Sequence, residues 1–264
     1  MISGISIERN EIATVCRIVN FSDELKREIR DRLSAICHGP DAVTNDSVYA
    51  SYKNTLKEFN KRYSSKPEKT KKGMVGELLT HILLFSTNSD FEPANPFFNM
   101  EEGSIKKGFD IVVFDRKLNE MWISEVKSGN AGTKKANSFN NSLLNTAKND
   151  LKTRFGENET NLWLNATNGA KIALSGGKVK DRINQILEEC YQEAVDEEQD
   201  STSKNVILIS VTYKSTSDPV TIEEVTKRGE KINGDKVFRN VIVFSIQKET
   251  YQRVAEFLET EAKE

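Results

Sequence analysis

Between Ile5 and Phe21 the chain carries short β-branched runs that read as one or two strands. Ser22 then precedes SDELKREIRDRLSAIC, where Leu25, Ile29, Leu33 and Ile36 recur at helical spacing until Gly39-Pro40 stops them. A second helix is expected from Asp46 to Tyr63, with Tyr52, Leu56, Phe59 and Tyr63 on one side, and SSKPEKTKKG reads as a polar link. GMVGELLTHILLF has a different pattern. Met74, Val75, Leu78, Leu79, Ile82 and Leu83 surround most of its circumference, so this helix is expected to be mostly buried. Glu77 interrupts the apolar surface, and His81 follows one turn later.

A looser, Pro-containing segment, FEPANPFFNMEEGSIKKG, leads into GFDIVVFDRKLNEMWISEVKSG. The latter reads as a β-hairpin of two apolar runs around a polar turn. NSFNNSLLNTAKNDLKTRF then reads as a helix with Phe139, Leu143, Ala147 and Leu151 in one row; Gly169 to Gly177 reads as loop or strand, and Val179 to Glu197 as a helix. NVILISVTY and NVIVFSIQ are buried-strand patterns, and KETYQRVAEFLETEAKE is a terminal helix. The order of elements predicts an α/β fold with helices covering a mixed central sheet and an N-terminal helical extension. Residues 1–70 form the strand and helical region, and residues 71–264 the core.

The hairpin poses a chemical question. With the simplest turn, Asp115 opposite Glu120, antiparallel register sets Asp110 opposite Glu125, with Cβ atoms about 5 Å apart. Lys127 lies two positions beyond Glu125 and projects from the same face. Met121 and Ile123 share that face, while Trp122 and Val126 occupy the other, so both faces look buried. Charged groups in such a strand require a reason. Facing carboxylates repel unless something positive lies between them. Lys127 supplies part of that charge, and a hard divalent cation finishing its shell on a phosphate would supply more. In such a site the lysine could position water, stabilise transition-state charge or, if its pKa were lowered, take a proton. The bland alternative is a polar strand entry at Asp110 with Glu125 and Lys127 on a solvent side. For Glu77 it is a surface residue paired with His81; His81 itself reads as structural.

Composition narrows the classes. The chain of 264 residues carries a formal net charge of -2, which argues against a globally basic nucleic-acid binder. Eight basic residues do stand between Lys53 and Lys72, against Glu58 and Glu68, and the stretch from Glu188 to Asp200 is acidic. Three widely spaced cysteines give neither a disulfide framework nor a zinc spacing, and two histidines exclude a His-rich metal centre. No apolar run approaches the length of a membrane span, and no secretion signal is visible, so a cytosolic chain with no membrane partner is expected. Lys134 and Lys135 stand just past the hairpin, where a phosphate backbone could be met. Asn137, Asn140, Asn141 and Asn145, with Lys148 and Lys152, form either a DNA-facing or an ordinary wet helix side.

Glu77 on a helix, Asp110 at a strand start, Glu125-Val126-Lys127 on the partner strand and a following helix together resemble the PD-(D/E)XK nuclease pattern. The motif fits from about Gly73 to Phe155, although Phe109 stands where the literal motif has proline. The resemblance implies a restriction-endonuclease-like core and Mg²⁺-dependent (or Mn²⁺-dependent) phosphodiester hydrolysis. Asp110, Glu125 and the Val126 carbonyl would be metal ligands, Lys127 the catalytic lysine, and Glu77 an accessory acid at the metal or its waters. KKGMVGELLTHILL, GFDIVVFD, WISEVKSG and NVILISVTY are further similar to HamA, the nuclease family of the Hachiman antiphage system, over residues 70–215. That likeness implies a DNA substrate and a HamB-like helicase partner. No Walker A motif is present, so an ATP-driven step would belong to another chain. Two other readings remain: an inactive DNA- or partner-binding scaffold, and a site-specific restriction endonuclease.

Overall fold

The computed structural model describes residues 2–98 and 108–263. Seven strands form one mixed sheet: β1 (Ile5–Arg9), β2 (Ala13–Ile18), β3 (Phe91–Pro93), β4 (Ile111–Asp115), β5 (Glu120–Asn130), β6 (Asn205–Tyr213) and β7 (Asn240–Lys248). Their order across the sheet is β1-β2-β7-β6-β5-β4-β3. The four central strands, β2, β7, β6 and β5, run parallel to their neighbours, while β1 and the β4–β3 pair add antiparallel edges. The fold is therefore the α/β, helix-flanked mixed sheet that the patterning predicts. The N-terminal hairpin belongs to the same sheet as the C-terminal strand, since Ala13 pairs with Val243.

All nine residues of β6 are buried, because helices cover both faces of the sheet. One face packs against α1 (Asp23–His38), α3 (Tyr52–Ser64), α4 (Glu68–Thr87) and α9 (Gln252–Glu261), around Leu25, Phe59, Leu79, Ile209, Phe244 and Leu258. The other packs against α5 (Ala136–Gly156), α6 (Thr160–Ala173), α7 (Lys178–Val195) and α8 (Ile222–Gly234), around Leu144, Leu151, Trp163, Leu187 and Leu208. A short helix, α2 (Pro40–Thr44), joins α1 to the region before α3. Ser22 caps α1 as expected, its side chain accepting from the Leu25 N–H.

Several boundaries differ from the sequence reading. Helix α3 starts at Tyr52, not Asp46, because Asp46 takes a positive φ of 50° and Ser51 is the cap that accepts from Asn54. SSKPEKTKKG is not wholly a link, since α4 begins at Glu68 directly after Pro67. Its lysines remain on a helix because their stems can lie on aromatic surface: Lys71 Nζ stands 5.2 Å from the Tyr63 ring and Lys72 Nζ 5.9 Å from the Tyr251 ring. Residues 169–173 are helical, forming the end of α6. Gly169 fits there because a Cβ would come within 3.0 Å of Asn95 Cβ. Part of the looser segment pairs as β3, while residues 99–107 of it lie outside the described residues. The terminal helix begins at Gln252, and Lys248 instead ends β7. Helix α8 lies between the two buried-strand patterns, where the patterning sets no element.

Candidate active site

The hairpin turn has the assumed register. Asp115 pairs with Glu120 and Ile111 with Ser124, which carries Asp110 opposite Glu125. The turn is fixed locally. Asp115 Oδ1 accepts from the N–H groups of Lys117 (2.9 Å) and Leu118 (3.0 Å), and Asn119 takes the left-handed conformation that asparagine tolerates. Asp110 stands just before β4 and is half-buried. Its Oδ2 accepts from the Val126 N–H at 2.7 Å, so the carboxylate reaches across to the strand that carries Glu125. Phe109, in place of the motif proline, anchors this entry by packing 4.9 Å from the Trp163 ring and 5.8 Å from that of Phe155. Asn95 holds the same backbone: its Nδ2 donates to the Asp110 carbonyl (3.2 Å) and its Oδ1 accepts from Val112 N–H (2.6 Å).

Glu125 is 1% exposed. Its Oε1 accepts from Lys127 Nζ at 2.6 Å and lies 3.8 Å from Arg154 Nη2, while its Oε2 is buried without a hydrogen-bond partner. Burial first, and the Asp110 charge second, push its pKa up to about 7 against the pull of Arg154 and Lys127. For Lys127, burial pulls the pKa down, but Glu125 and Asp150, with Asp110, outweigh it and the net direction is upward. The surrounding carboxylates therefore favour the ammonium form of the lysine.

Two residues of this group were missed in the sequence. Asp150 Oδ2 lies 2.7 Å from Lys127 Nζ, and Arg154 Nη1 donates to the Gly108 carbonyl at 2.7 Å. Both sit on α5, where an i,i+4 acid–base pair ordinarily signals a solvated helix face. Only the position of that helix, immediately after the motif strand, could have drawn attention to them.

Glu77 is placed differently. It is half-buried on α4, which covers the opposite sheet face, and its charge acts on the buried Cys37 thiol of α1. The neighbouring Gly76 lets α4 approach β5 closely, since a Cβ there would come within 2.8 Å of Ser128 Cβ. His81 is buried and packs against Phe85 and Phe97, as a structural histidine does. Of the lysines expected at DNA, Lys134 and Lys135 are exposed at the start of α5, and Lys148 pairs with Asp235 at 2.7 Å. The asparagine row does not form one wet face. Asn140 is fully buried and bonded to Ser245, Ser210 and Thr212, and Asn137 exchanges hydrogen bonds with Thr221. The buried line of α5 runs through Ala136, Asn140, Leu144, Ala147, Leu151 and Phe155, leaving Phe139 and Leu143 half-buried beside Gly129.

The donor set suits a hard cation on one specific ground. Glu125 keeps a buried, partnerless oxygen beside a second carboxylate, a costly arrangement that positive charge would relieve. The Val126 N–H points toward Asp110, and in an extended strand the carbonyl of the same residue points to the same side. Among the described residues no group of three or more His, Cys, Asp or Glu side chains is arranged to hold a metal, so Glu77 does not complete a three-acid cluster with Asp110 and Glu125.

Fold and site together define an α/β protein with a helix-flanked mixed sheet and an acid–acid–lysine group where one sheet hairpin ends. The sequence model of the HamA family matches residues 7–262, and the chain belongs to that family. The match extends well beyond residues 70–215 and takes in most of the N-terminal region and the acidic stretch. Membership places the protein among the Hachiman antiphage defence proteins, which work in a complex with a partner. A search of curated proteins returned no match. No helix among the described residues is long and apolar enough to cross a membrane.

Proposed function

We propose that this chain is a metal-dependent deoxyribonuclease, the effector subunit of a Hachiman complex whose partner is a helicase. The observation that carries the reading is the junction of Asp110 and Glu125 around Val126, with one Glu125 oxygen buried and unsatisfied and Lys127 on the other. Asp110, Glu125 and the Val126 carbonyl would hold Mg²⁺ or Mn²⁺. When bound, the cation supplies Lewis-acid charge at a phosphate ester and water of lowered pKa. Lys127, kept protonated, orients water by hydrogen bonding and offsets charge developing on the phosphate oxygens. Glu77 on α4 would act as an accessory acid through the cation's waters rather than as a direct ligand. Lys134 and Lys135, exposed at the start of α5, would be available to a phosphate backbone. A helicase partner fits a chain with near-neutral charge and no Walker A motif.

The test is plasmid cleavage with Mg²⁺ or Mn²⁺, by the chain alone and with its helicase partner. The wild type should degrade DNA, and Glu125→Ala/Lys127→Ala should lose roughly 10³-fold or more. Equal cleavage by both would remove the nuclease reading. Failure of the complex to bind metal would favour a scaffold, and discrete fragments rather than a smear would favour a site-specific endonuclease.

A further inference from the structure

We propose that Asp150 and Arg154 of α5 are positioning residues for this site: Asp150 fixes the Lys127 ammonium, and Arg154 fixes the approach to Asp110 beside Glu125. The inference rests on the nuclease reading and adds two residues from an element outside its motif. Helix α5 covers the sheet face from which Glu125 and Lys127 project. Asp150 and Arg154 are one turn apart on it, a spacing at which an acid and a base ordinarily neutralise one another. Here each is directed to the site instead. Asp150 takes Lys127 Nζ at 2.7 Å, and Arg154 gives Nη1 to the Gly108 carbonyl at 2.7 Å and Nη2 to the Glu125 side at 3.8 Å.

The geometry gives each residue a separate task. A lysine on a four-carbon stem with one partner samples many positions, whereas carboxylates on two different elements, 2.6 and 2.7 Å away, define a single place for Nζ. Gly108 stands two residues before Asp110, so Arg154 anchors the backbone that delivers one acid while facing the other. Asp150 is 43% exposed on its side chain, so its ion pair contributes little to folding. A residue with little stabilising effect but a direct hold on the proposed catalytic lysine should reveal itself in turnover rather than in melting.

The experiment uses the full chain with Asp150→Asn, Asp150→Glu, Arg154→Gln and Lys127→Ala. Asp150→Asn should cut cleavage by about 10- to 100-fold. Its Mn²⁺ affinity should stay unchanged, and its melting temperature should move by no more than about 2 °C. Asp150→Glu should recover most of the activity, and Asp150→Asn should cause no further loss in a Lys127→Ala background. Arg154→Gln should lower cleavage and weaken Mn²⁺ binding measured by calorimetry, because Asp110 loses its anchored approach. Wild-type turnover by Asp150→Asn, or losses that multiply with Lys127→Ala, would overturn the proposal. A readout independent of turnover is the ammonium signal of ¹⁵N-labelled Lys127, which should exchange slowly in the wild type and be lost in Asp150→Asn. If the wild type cleaves nothing even with its helicase partner present, the nuclease reading fails, and the signal alone judges the clamp: loss in Asp150→Asn upholds it, persistence overturns it.

Discussion

Two polar clusters interrupt the same apolar sheet face beneath α5, and they solve the burial problem in opposite ways. In the first, Asn140 Nδ2 donates to Ser245 Oγ (3.1 Å), Ser245 lies 2.9 Å from Ser210 Oγ, and Ser210 donates to Asn140 Oδ1 (2.7 Å). Donors and acceptors close into a ring, with Thr212 adding a bond to Asn140. In the second, one row away on the neighbouring strand, Lys127 pairs in register with Ser210, yet Glu125 keeps an unsatisfied oxygen and a like-charged neighbour in Asp110. A neutral ring that satisfies itself specifies packing. A buried glutamate that keeps one oxygen unsatisfied is a place where a cation would be favoured. Polarity in a core therefore does not by itself mark a functional site; what separates the two clusters is a buried charge with an unsatisfied oxygen at Glu125.

Substitutions can break or sharpen that contrast. The largest effect on stability should come from the satisfied ring. Asn140→Ala strands several buried hydroxyls and opens a cavity, and should lower unfolding free energy by about 3 kcal/mol. Denaturant titration checks it, and an unchanged midpoint would mean the ring contributes nothing. Glu125 should behave in the opposite sense. Its folded pKa of about 7 lies above the ordinary 4.5, so the native state binds its proton more tightly than the unfolded state does. Its contribution is thus fully present below about pH 4.5 and is lost as pH rises to about 7. In metal-free buffer, Glu125→Gln should remove that part of the decline, and the gap between wild type and variant across urea titrations at pH 5 and pH 7.5 measures it. Ser210→Ala takes one member from the ring but leaves Asn140 its Thr212 bond, and should cost about 1 kcal/mol. Asp235→Asn removes the partner of the half-buried Lys148 and should have the smallest effect, read as little or no change in the urea midpoint.

The sequence made most of the fold legible because periodicity reports burial locally. The hairpin register, the Ser22 cap and the buried β6 and β7 could all be read that way. Helix starts were harder where a turn with positive φ or a run of lysines hid them, as at Asp46 and Glu68. The pairing of β2 with β7 left no local trace, because it depends on the rest of the chain bringing those strands together. The acid–acid–lysine group was visible because a strand has period two, so one register assumption placed three side chains at once. Asp150, Arg154 and Asn95 were not visible. Each reaches the site from a different element, and nothing in its own neighbourhood separates it from an ordinary surface or loop residue.

The β2–β7 pairing also sets the order in which this protein can assemble. On the ribosome, β2 emerges with its hairpin partner β1 already available, but the strand that covers its other edge is made only with residues 240–248. Closing a contact between Ala13 and Val243 is a late and slow event for any chain, and until then an apolar strand edge stays open to chaperones and to other nascent chains. The strands that carry Asp110 and Glu125 are synthesised long before that, as is α5 above them. A chain cut short before β7 would therefore carry every motif residue and still lack the strand that joins its N-terminal hairpin to the rest of the sheet.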